Sequence, residues 1–417
     1  MILRWFFFFC IIILCNWYSS LAIKTVTKSP GLYYTYLALN FIIIANFIVQ
    51  IKTNNNSGLM TPFFSYSLGF FIISIILQST IILFLFMEDF SRLLIWLYRV
   101  LFKVTSDTFN YVPQRRLFLS QLSILLASIP ASALFIGMLR GKYNYKVIKH
   151  QLSFDRLPDD FNNFKIAHIS DFHCGSFDNK VKLKYGIDLI NKQEPDIILF
   201  TGDMVNNIAN EVLPWKEMIS SLKAPYGKYS ILGNHDYGDY TKWDSEDDKV
   251  NNLKKLIKLQ NDMGFKVLLN SSEKLHINQS SIELIGVENW GSGGFKKNGD
   301  LDLALKNTNS NDFKILMSHD PSHWQKKVIS NNEHIDLTLS GHTHGMQFGI
   351  EIPGLIKWSP IQYRYKYWAG IYQEMGRVIN VNRGFGFLAY PGRVGIYPEI
   401  SIINLKKKKL KKPSNNG

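Results

Sequence analysis

Hydrophobic and polar positions change rhythm near Arg140. Upstream, Trp5–Ile23, Leu32–Ile51, Phe64–Met87 and Leu117–Leu139 are predominantly apolar stretches, each long or nearly long enough to cross a bilayer as a helix. Four crossings are the simplest count. The first stretch, whose charged start is only Arg4, also fits a cleaved export signal. Pro130 inside the last can kink it, which membrane helices tolerate. Glu88–Lys103 sets Arg92, Arg99 and Lys103 among Leu, Ile, Trp and Tyr, a pattern for a helix lying in the headgroup layer or for a continuation of the third span. The predicted spans hold no carboxylate or histidine array of a transport path, so residues 1–139 are expected to be an anchor.

Downstream, the apolar runs shorten to strand length and each stops at a polar cluster. Residues 165–170 lead into Asp171-Phe-His173, 196–200 into Gly202-Asp203, 229–232 into Gly233-Asn-His-Asp236, 314–317 into His319, and 335–340 into Gly341-His-Thr-His344. Such runs predict strands covered on both faces, and in sheets of that kind ligands gather beyond the carboxyl ends of the strands. Val181–Gln193 and Val250–Met263 are expected to be covering helices.

Carboxylate, amide and imidazole donors collected on one rim suit divalent ions such as Mn, Fe, Zn or Ni. A pair of such ions about 3.5–4 Å apart makes a nucleophile from water near neutral pH and shields charge on phosphoryl oxygens, the two needs of phosphoester hydrolysis. The three cysteines, Cys10, Cys15 and Cys174, form neither a zinc ribbon nor a disulfide framework. Leu14 stands where a lipoprotein site at Cys15 would want a small residue, and Cys174 is expected to be small and buried. His168, His276, His323 and His334 are expected to be structural or surface groups.

The order D-x-H, G-D, G-N-H-D, a lone His, then G-H-x-H resembles the signature of the calcineurin-like metallophosphoesterase superfamily, over roughly Asn144 to Leu405. It is most similar to the bacterial branch held at the membrane by an export signal or helices, whose ending is like Val381-Asn-Arg-Gly-Phe-Gly386, Pro391-Gly-Arg393 and Pro398-Glu-Ile400. The resemblance implies an α/β fold, a four-layer α/β/β/α sandwich preceded by an α-helical transmembrane region, with the site on its rim. It implies one metal held by Asp171, His173 and His344, a second held by Asn234, His319 and His342, and Asp203 bridging them. Activated water would attack phosphorus in line, with no covalent phosphoenzyme, while His235 stabilises charge or protonates the leaving oxygen and Asp236 orients that imidazole. One departure is Met346, where relatives often carry a second glycine. A longer side chain there would narrow the pocket or add an apolar wall.

The expected layout is a transmembrane region over 1–139, a catalytic domain over 140–405 that starts with a link and first strand at Arg140–Pro158, and a basic tail over 406–417. A formal net charge of +14 in a membrane protein favours anionic lipid or an envelope polymer as partner. Neither nucleic acid nor an obligate protein partner is expected. The block from Lys406 to Lys412 suits lipid contact or a solvated tail equally. Gly286–Gly294 and the aromatic and basic stretch Trp358–Trp368 are expected to shape substrate choice, the second by receiving a lipid or sugar beside a phosphate or by forming an interfacial belt. Arg92, Arg99, Lys103, Arg115 and Arg116 draw the segment between spans three and four to the cytoplasm, whereas Arg140, Lys142, Lys146 and Lys149 pull the other way. The exported relatives tip the balance toward the plasma membrane with the catalytic domain on its outer face. The expected function is a membrane-anchored, two-metal phosphoesterase acting on a phosphodiester, phosphomonoester or pyrophosphate of lipid or cell-envelope material. Its alternatives are a pyrophosphatase of nucleotide-linked lipid-A precursors with a cytoplasmic site, and a metal-binding membrane receptor or scaffold without turnover.

Overall fold

Prolines open three of the four long helices at the start of the chain, as suits a residue with no backbone N–H to leave unpaired. In a computed structural model, which describes residues 2–57, 60–103, 113–352 and 354–408, these helices are α1 (Ile2–Val26), α2 (Pro30–Ser57), α3 (Pro62–Phe102) and α4 (Pro113–Leu139). All four are long and apolar enough to cross a membrane. They make up most of one unit, Met1–Asn56 with Phe63–Leu139; the second unit is Ser57–Pro62 with Arg140–Gly417.

The helical unit decides between the two readings of the stretch after Glu88. α3 runs unbroken for 41 residues, about 61 Å at 1.5 Å per residue and roughly twice a hydrocarbon core. The stretch after Glu88 therefore continues the third span and is not a separate headgroup-layer helix; Arg92 and Arg99 sit on it, and residues 104–112 lie outside the described residues. Glu88 and Asp89, just past the predicted end of that span, meet partners from the neighbouring helices. Arg116 lies 2.6 Å from Glu88 and 2.8 Å from Asp89, and the Tyr18 hydroxyl donates to Asp89 at 2.6 Å. Farther along, Asn40 Oδ1 accepts from Ser74 at 2.5 Å and from Gln78 at 2.9 Å. Polar groups among apolar helices hold one another where lipid offers no partner.

The second unit is built on two six-stranded sheets. In the first, the order is β1 (Lys146–Phe154), β14 (Glu399–Lys407), β2 (Lys165–Ile169), β3 (Ile197–Phe200), β4 (Lys228–Ser230) and β5 (Phe265–Val267); β2 to β5 run parallel. In the second it is β12 (Gly370–Glu374), β13 (Arg377–Val381), β9 (Leu337–Ser340), β8 (Lys314–Met317), β7 (Ser280–Gly286) and β6 (Ser271–Ile277), with β13, β9, β8 and β7 parallel. A small ribbon pairs β10 (Ile350–Ile352) with β11 (Ile356–Trp358). Because Lys406 and Lys407 complete β14, the expected basic tail does not begin at 406; beyond Lys408 it lies outside the described residues.

Alternation along the strands makes the layers. Ile197 and Leu199 point into a core between the sheets with Ile166, Leu284, Ile315, Met317 and Leu337. Their neighbours Ile198 and Phe200 point the other way, onto Leu183, Ile187 and Ile190 of α5 (Lys180–Asn191) and Leu256 and Leu259 of α7 (Glu246–Asp262), with the short α6 (Lys216–Ser220) beside them. The second sheet sends Ile285, Leu316 and Ile379 onto α8 (Leu301–Leu305) and Trp324. The result is the expected α/β/β/α sandwich, with period-two strands dividing their side chains between two cores. Phe200 is fully buried and stacks on Phe172 at 4.9 Å. Phe200→Ala should cost about 3–5 kcal/mol of stability, read as a lower thermal midpoint of the purified protein, whereas Tyr185→Ala on the exposed face of α5 should leave that midpoint nearly unchanged.

Candidate dimetal active site

The carboxyl ends of β2, β3 and β4 in one sheet and of β8 and β9 in the other meet at one rim, and each chain segment turns sharply there. Asp171, His173, Asp203, His342 and His344 all have left-handed backbones, with φ between 49° and 72°. Non-glycine residues hold that conformation at a cost of about 1–3 kcal/mol each, and only where the surroundings enforce it. The motif glycines permit the close approach: a Cβ at Gly341 would collide with Ser170 Oγ and Asp171 Oδ2, and one at Gly233 with Asp203 Oδ1.

Six of the seven candidate ligands converge in two groups, and the seventh, Asn234, adjoins the second. Asp171, His173 and His344 form one, and Asp203, His319 and His342 the other, each with ligand atoms within 4.8 Å of one another. In the first, His344 Nε2 is 3.2 Å from Asp171 Oδ1 and 3.0 Å from His173 Nε2. In the second, His342 Nδ1 is 2.8 Å from Asn234 Oδ1 and 3.3 Å from His319 Nε2. Asp203 Oδ2 stands between them, 3.1 Å from His319 Nε2 and 3.7 Å from His173 Nε2.

Their outer partners decide which atoms face inward. Thr201 O accepts from His319 Nδ1 at 2.7 Å, and Asn206 Oδ1 pairs with His173 Nδ1 at 3.1 Å, so both rings turn Nε2 to the centre. Asn234 Nδ2 donates to Tyr240 Oη at 2.9 Å and so presents its oxygen. His342 Nε2 meets Tyr365 Oη at 2.8 Å, which in turn reaches Asp320 Oδ2 at 3.4 Å. Burial drives His173 and His342 toward the neutral form that ligates. Burial also pulls His319 down, but the Asp203 carboxylate outweighs it and holds that imidazole up at about 10. One amide oxygen, two carboxylates and four imidazoles brought together at two centres call for positive charge there. This donor set fits two divalent transition-metal ions.

Several residues that the sequence left without a role serve this centre. Asn206 uses both ends, its side chain on His173 and its carbonyl on His235 Nδ1 at 2.8 Å. Glu211 holds the loop by accepting from the backbones of Asn206, Asn207 and Ile208, though burial pushes its carboxyl up to about 7. Arg393, in the quoted ending but given no role there, is fully buried and donates to His344 Nδ1 at 3.1 Å; burial pushes its guanidinium down to about 9. An amide three residues beyond Asp203 was the signal for Asn206, which follows no strand directly and lies outside the five motif clusters.

Two expectations are corrected. Asp236 does not orient His235, since the Asn206 carbonyl holds that ring; its carboxylate instead accepts from the backbones of Asp203, Met204, Val205 and Gly233. Burial, with the Asp203 charge beside it, pushes Asp236 up to about 7. Met346 does not wall the pocket: it is 57% exposed and has φ 54°, so glycine suits the position because of its backbone. His168 and His323 are buried structural groups, paired with Thr201 and Ser318, and Cys174 is buried.

A cavity of about 290 Å³ lies over the centre, with His173, Asp203, Asn234, His235, His342 and His344 on one side and Tyr240, Phe295, Ile361, Arg364, Tyr365 and Leu388 on the other. Residues 164–346 match the family model for the calcineurin-like phosphoesterases, and residues 3–142 match that for the transmembrane domain of a probable calcineurin-like phosphoesterase. The metallophosphoesterase YkuE of Bacillus subtilis is 31% identical over 297 residues, which is 68% of this chain and 95% of that protein. The phosphodiesterase YaeI of Escherichia coli is 26% identical over 63% of this chain and 88% of its own. A transmembrane protein with a metallophosphoesterase domain from Danio rerio is 26% identical over 68% of this chain and 62% of its own.

Removing the side chain that fixes His173 while keeping the carbonyl that fixes His235 isolates one half of the centre. Asn206→Ala should weaken one of two bound ions about 10- to 100-fold and leave the other near its original affinity, in a metal titration of the purified protein. Equal affinities before and after the substitution would show that Asn206 does not hold His173 for a metal.

Proposed function

The chain belongs to the calcineurin-like metallophosphoesterases, and on that premise we propose that it hydrolyses a phosphoester of lipid or cell-envelope material, using two ions of the Mn, Fe, Zn or Ni class. Its class is that of a metal-dependent phosphoester hydrolase with an N-terminal transmembrane region. One ion is assigned to Asp171, His173 and His344 and the other to Asn234, His319 and His342. The observation that carries this assignment is the Asp203 carboxylate, whose Oδ2 lies within 3.7 Å of an imidazole nitrogen from each group. Bound divalent ions supply a nucleophile from water near neutral pH and positive charge for phosphoryl oxygens.

The chain's own groups do the remaining work. Asp171 and Asp203 keep their negative charge despite burial, because His344 draws Asp171 and His319 draws Asp203 below the usual carboxylate range. His235 donates from Nδ1 to the Asn206 carbonyl, so Nε2 is the nitrogen that faces the leaving oxygen and gives it a proton when the ring is an imidazolium. Its ring lies 4.9 Å from that of His173, beside the first metal group. Asp236 acts at one remove, tying the Gly202 turn to the Gly233 turn and thereby placing Asp203 against the His235 backbone N–H at 2.8 Å. A lipid or envelope substrate is supported by the union of this site with four membrane-length helices and by the apolar wall of Phe295, Ile361 and Leu388. The plasma membrane is assigned as the location, with the catalytic unit on its outer face.

Full-length protein in detergent, stripped and reloaded with Mn, Fe, Zn or Ni, should hydrolyse 4-nitrophenyl phosphoesters, and Asp203→Asn should lose at least about a hundredfold of that rate. Turnover confined to nucleotide-linked diphosphates would point to the lipid-A pyrophosphatase alternative. Two bound ions with no hydrolysis under any metal would sink the hydrolase and favour a receptor or scaffold. In intact spheroplasts, an added protease should cut the catalytic unit; complete protection there with cutting after lysis would reverse the orientation.

A further inference from the structure

Two segments that lie outside the metal signature supply one wall of the cavity. The turn after Gly286–Gly294 brings in Phe295, and the stretch Trp358–Trp368 brings in Ile361, Arg364 and Tyr365. Lys357, just before the second stretch, and Arg364 and Lys366 within it are engaged differently. Lys357 donates to the Ala369 carbonyl at 2.5 Å, and Lys366 lies 2.7 Å from Glu374. Arg364 lines the cavity, and among the described residues no carboxylate pairs with it.

The guanidinium is held by rings. Its central carbon lies 5.1 Å from the Phe295 ring centre and 5.5 Å from that of Tyr365. Those same rings pack against His342, at 4.9 Å and 5.5 Å. The cation thus stands about one aromatic ring away from a metal-group imidazole. Stacking fixes the plane of a guanidinium and leaves its edge for a planar or tetrahedral oxyanion, which it meets with two parallel hydrogen bonds. An unpaired cation at this remove matches a charge on the substrate that is separate from the reacting phosphoryl group.

We propose that Arg364 is a specificity-determining residue that binds a second phosphoryl group of the substrate, so that the preferred substrate is a phosphoester whose retained arm carries a further phosphate. Phe295 and Tyr365 position the guanidinium, and Ile361 and Leu388 cover the short apolar arm between the two phosphates. A cavity of about 290 Å³ is at the small end of ligand sites, so a headgroup enters and any larger remainder stays outside. This rests on the phosphoesterase function proposed above and narrows its substrate class.

Two measurements on full-length, Mn-loaded protein test it. In the first, kcat/KM is compared for two 4-nitrophenyl diesters that share a leaving group and differ only in whether the second arm ends in phosphate or hydroxyl. Wild type should favour the phosphate-ended arm at least about tenfold, the scale of a charge-assisted contact; Arg364→Ala should lose that preference and Arg364→Lys should keep part of it. A role in packing alone would lower both substrates together and leave the ratio unmoved. In the second, calorimetry compares binding of methylenediphosphonate and methylphosphonate, which needs no turnover. Arg364→Ala should shrink the affinity gap between them at least about tenfold. A gap that is the same in wild type and variant overturns the inference even if esters are hydrolysed, whereas a gap that closes in a protein with no turnover supports Arg364 as a phosphate site and removes the hydrolase instead.

Discussion

Two carboxylates, Asp171 and Asp203, are buried together at the rim where the two sheets meet, and most of the second unit can be understood as the means of keeping them there charged. Burial alone would neutralise them. Imidazoles hold them ionised, and the Asp203 carboxylate holds the His319 imidazole up in return. The left-handed turns at five ligand positions follow from the same constraint. Short strands ending at one point must reverse within a residue or two to aim their side chains inward, and the glycines at 233 and 341 let backbones pass where any side chain would strike an aspartate.

The groups one layer out do as much as the ligands. A backbone carbonyl for His319, an amide for His173, a tyrosine for His342 and a guanidinium for His344 fix four rings in four ways. Asn206 links His173 to His235 through one residue, and Glu211 in turn holds the loop on which Asn206 sits. Displacement of that loop therefore moves both rings together. Local strain at the ligands is borne by this dense hydrogen bonding, as expected where function requires an unfavourable backbone.

Much of this was legible in the sequence because strand ends and metal donors are both local signals. A short apolar run followed by Asp-x-His marks a strand and its functional end within eight residues, and five such marks in order gave the rim and all seven converging side chains. What local pattern could not supply were relations across the fold. Asp236 was paired with its neighbour His235 by adjacency, whereas its carboxylate reaches back to the turn after β3. Met346 was taken for a pocket wall because it follows the ligands, yet its positive φ turns the side chain outward to solvent. The length of α3 stayed open for a different reason: a charged pair interrupts the apolar run at Glu88, and hydropathy stops there, whereas Arg116 from α4 pairs with those charges.

The division of ligands between the sheets has an energetic consequence. Asp171, His173, Asp203 and Asn234 follow strands of the first sheet, while His319, His342 and His344 follow strands of the second. Each proposed ion takes donors from both: Asp171 and His173 with His344, and Asn234 with His319 and His342. Neither sheet alone can assemble a complete set, so ion binding is coupled to closure of the inter-sheet core formed by Ile166, Leu199, Leu284 and Met317. A preformed site does not exist in the unfolded chain, and the free energy of binding is therefore drawn on by folding itself. Bound ions would act as a clamp at the polar end of a sandwich whose other contacts are apolar, offsetting the strained turns and buried charges of that rim.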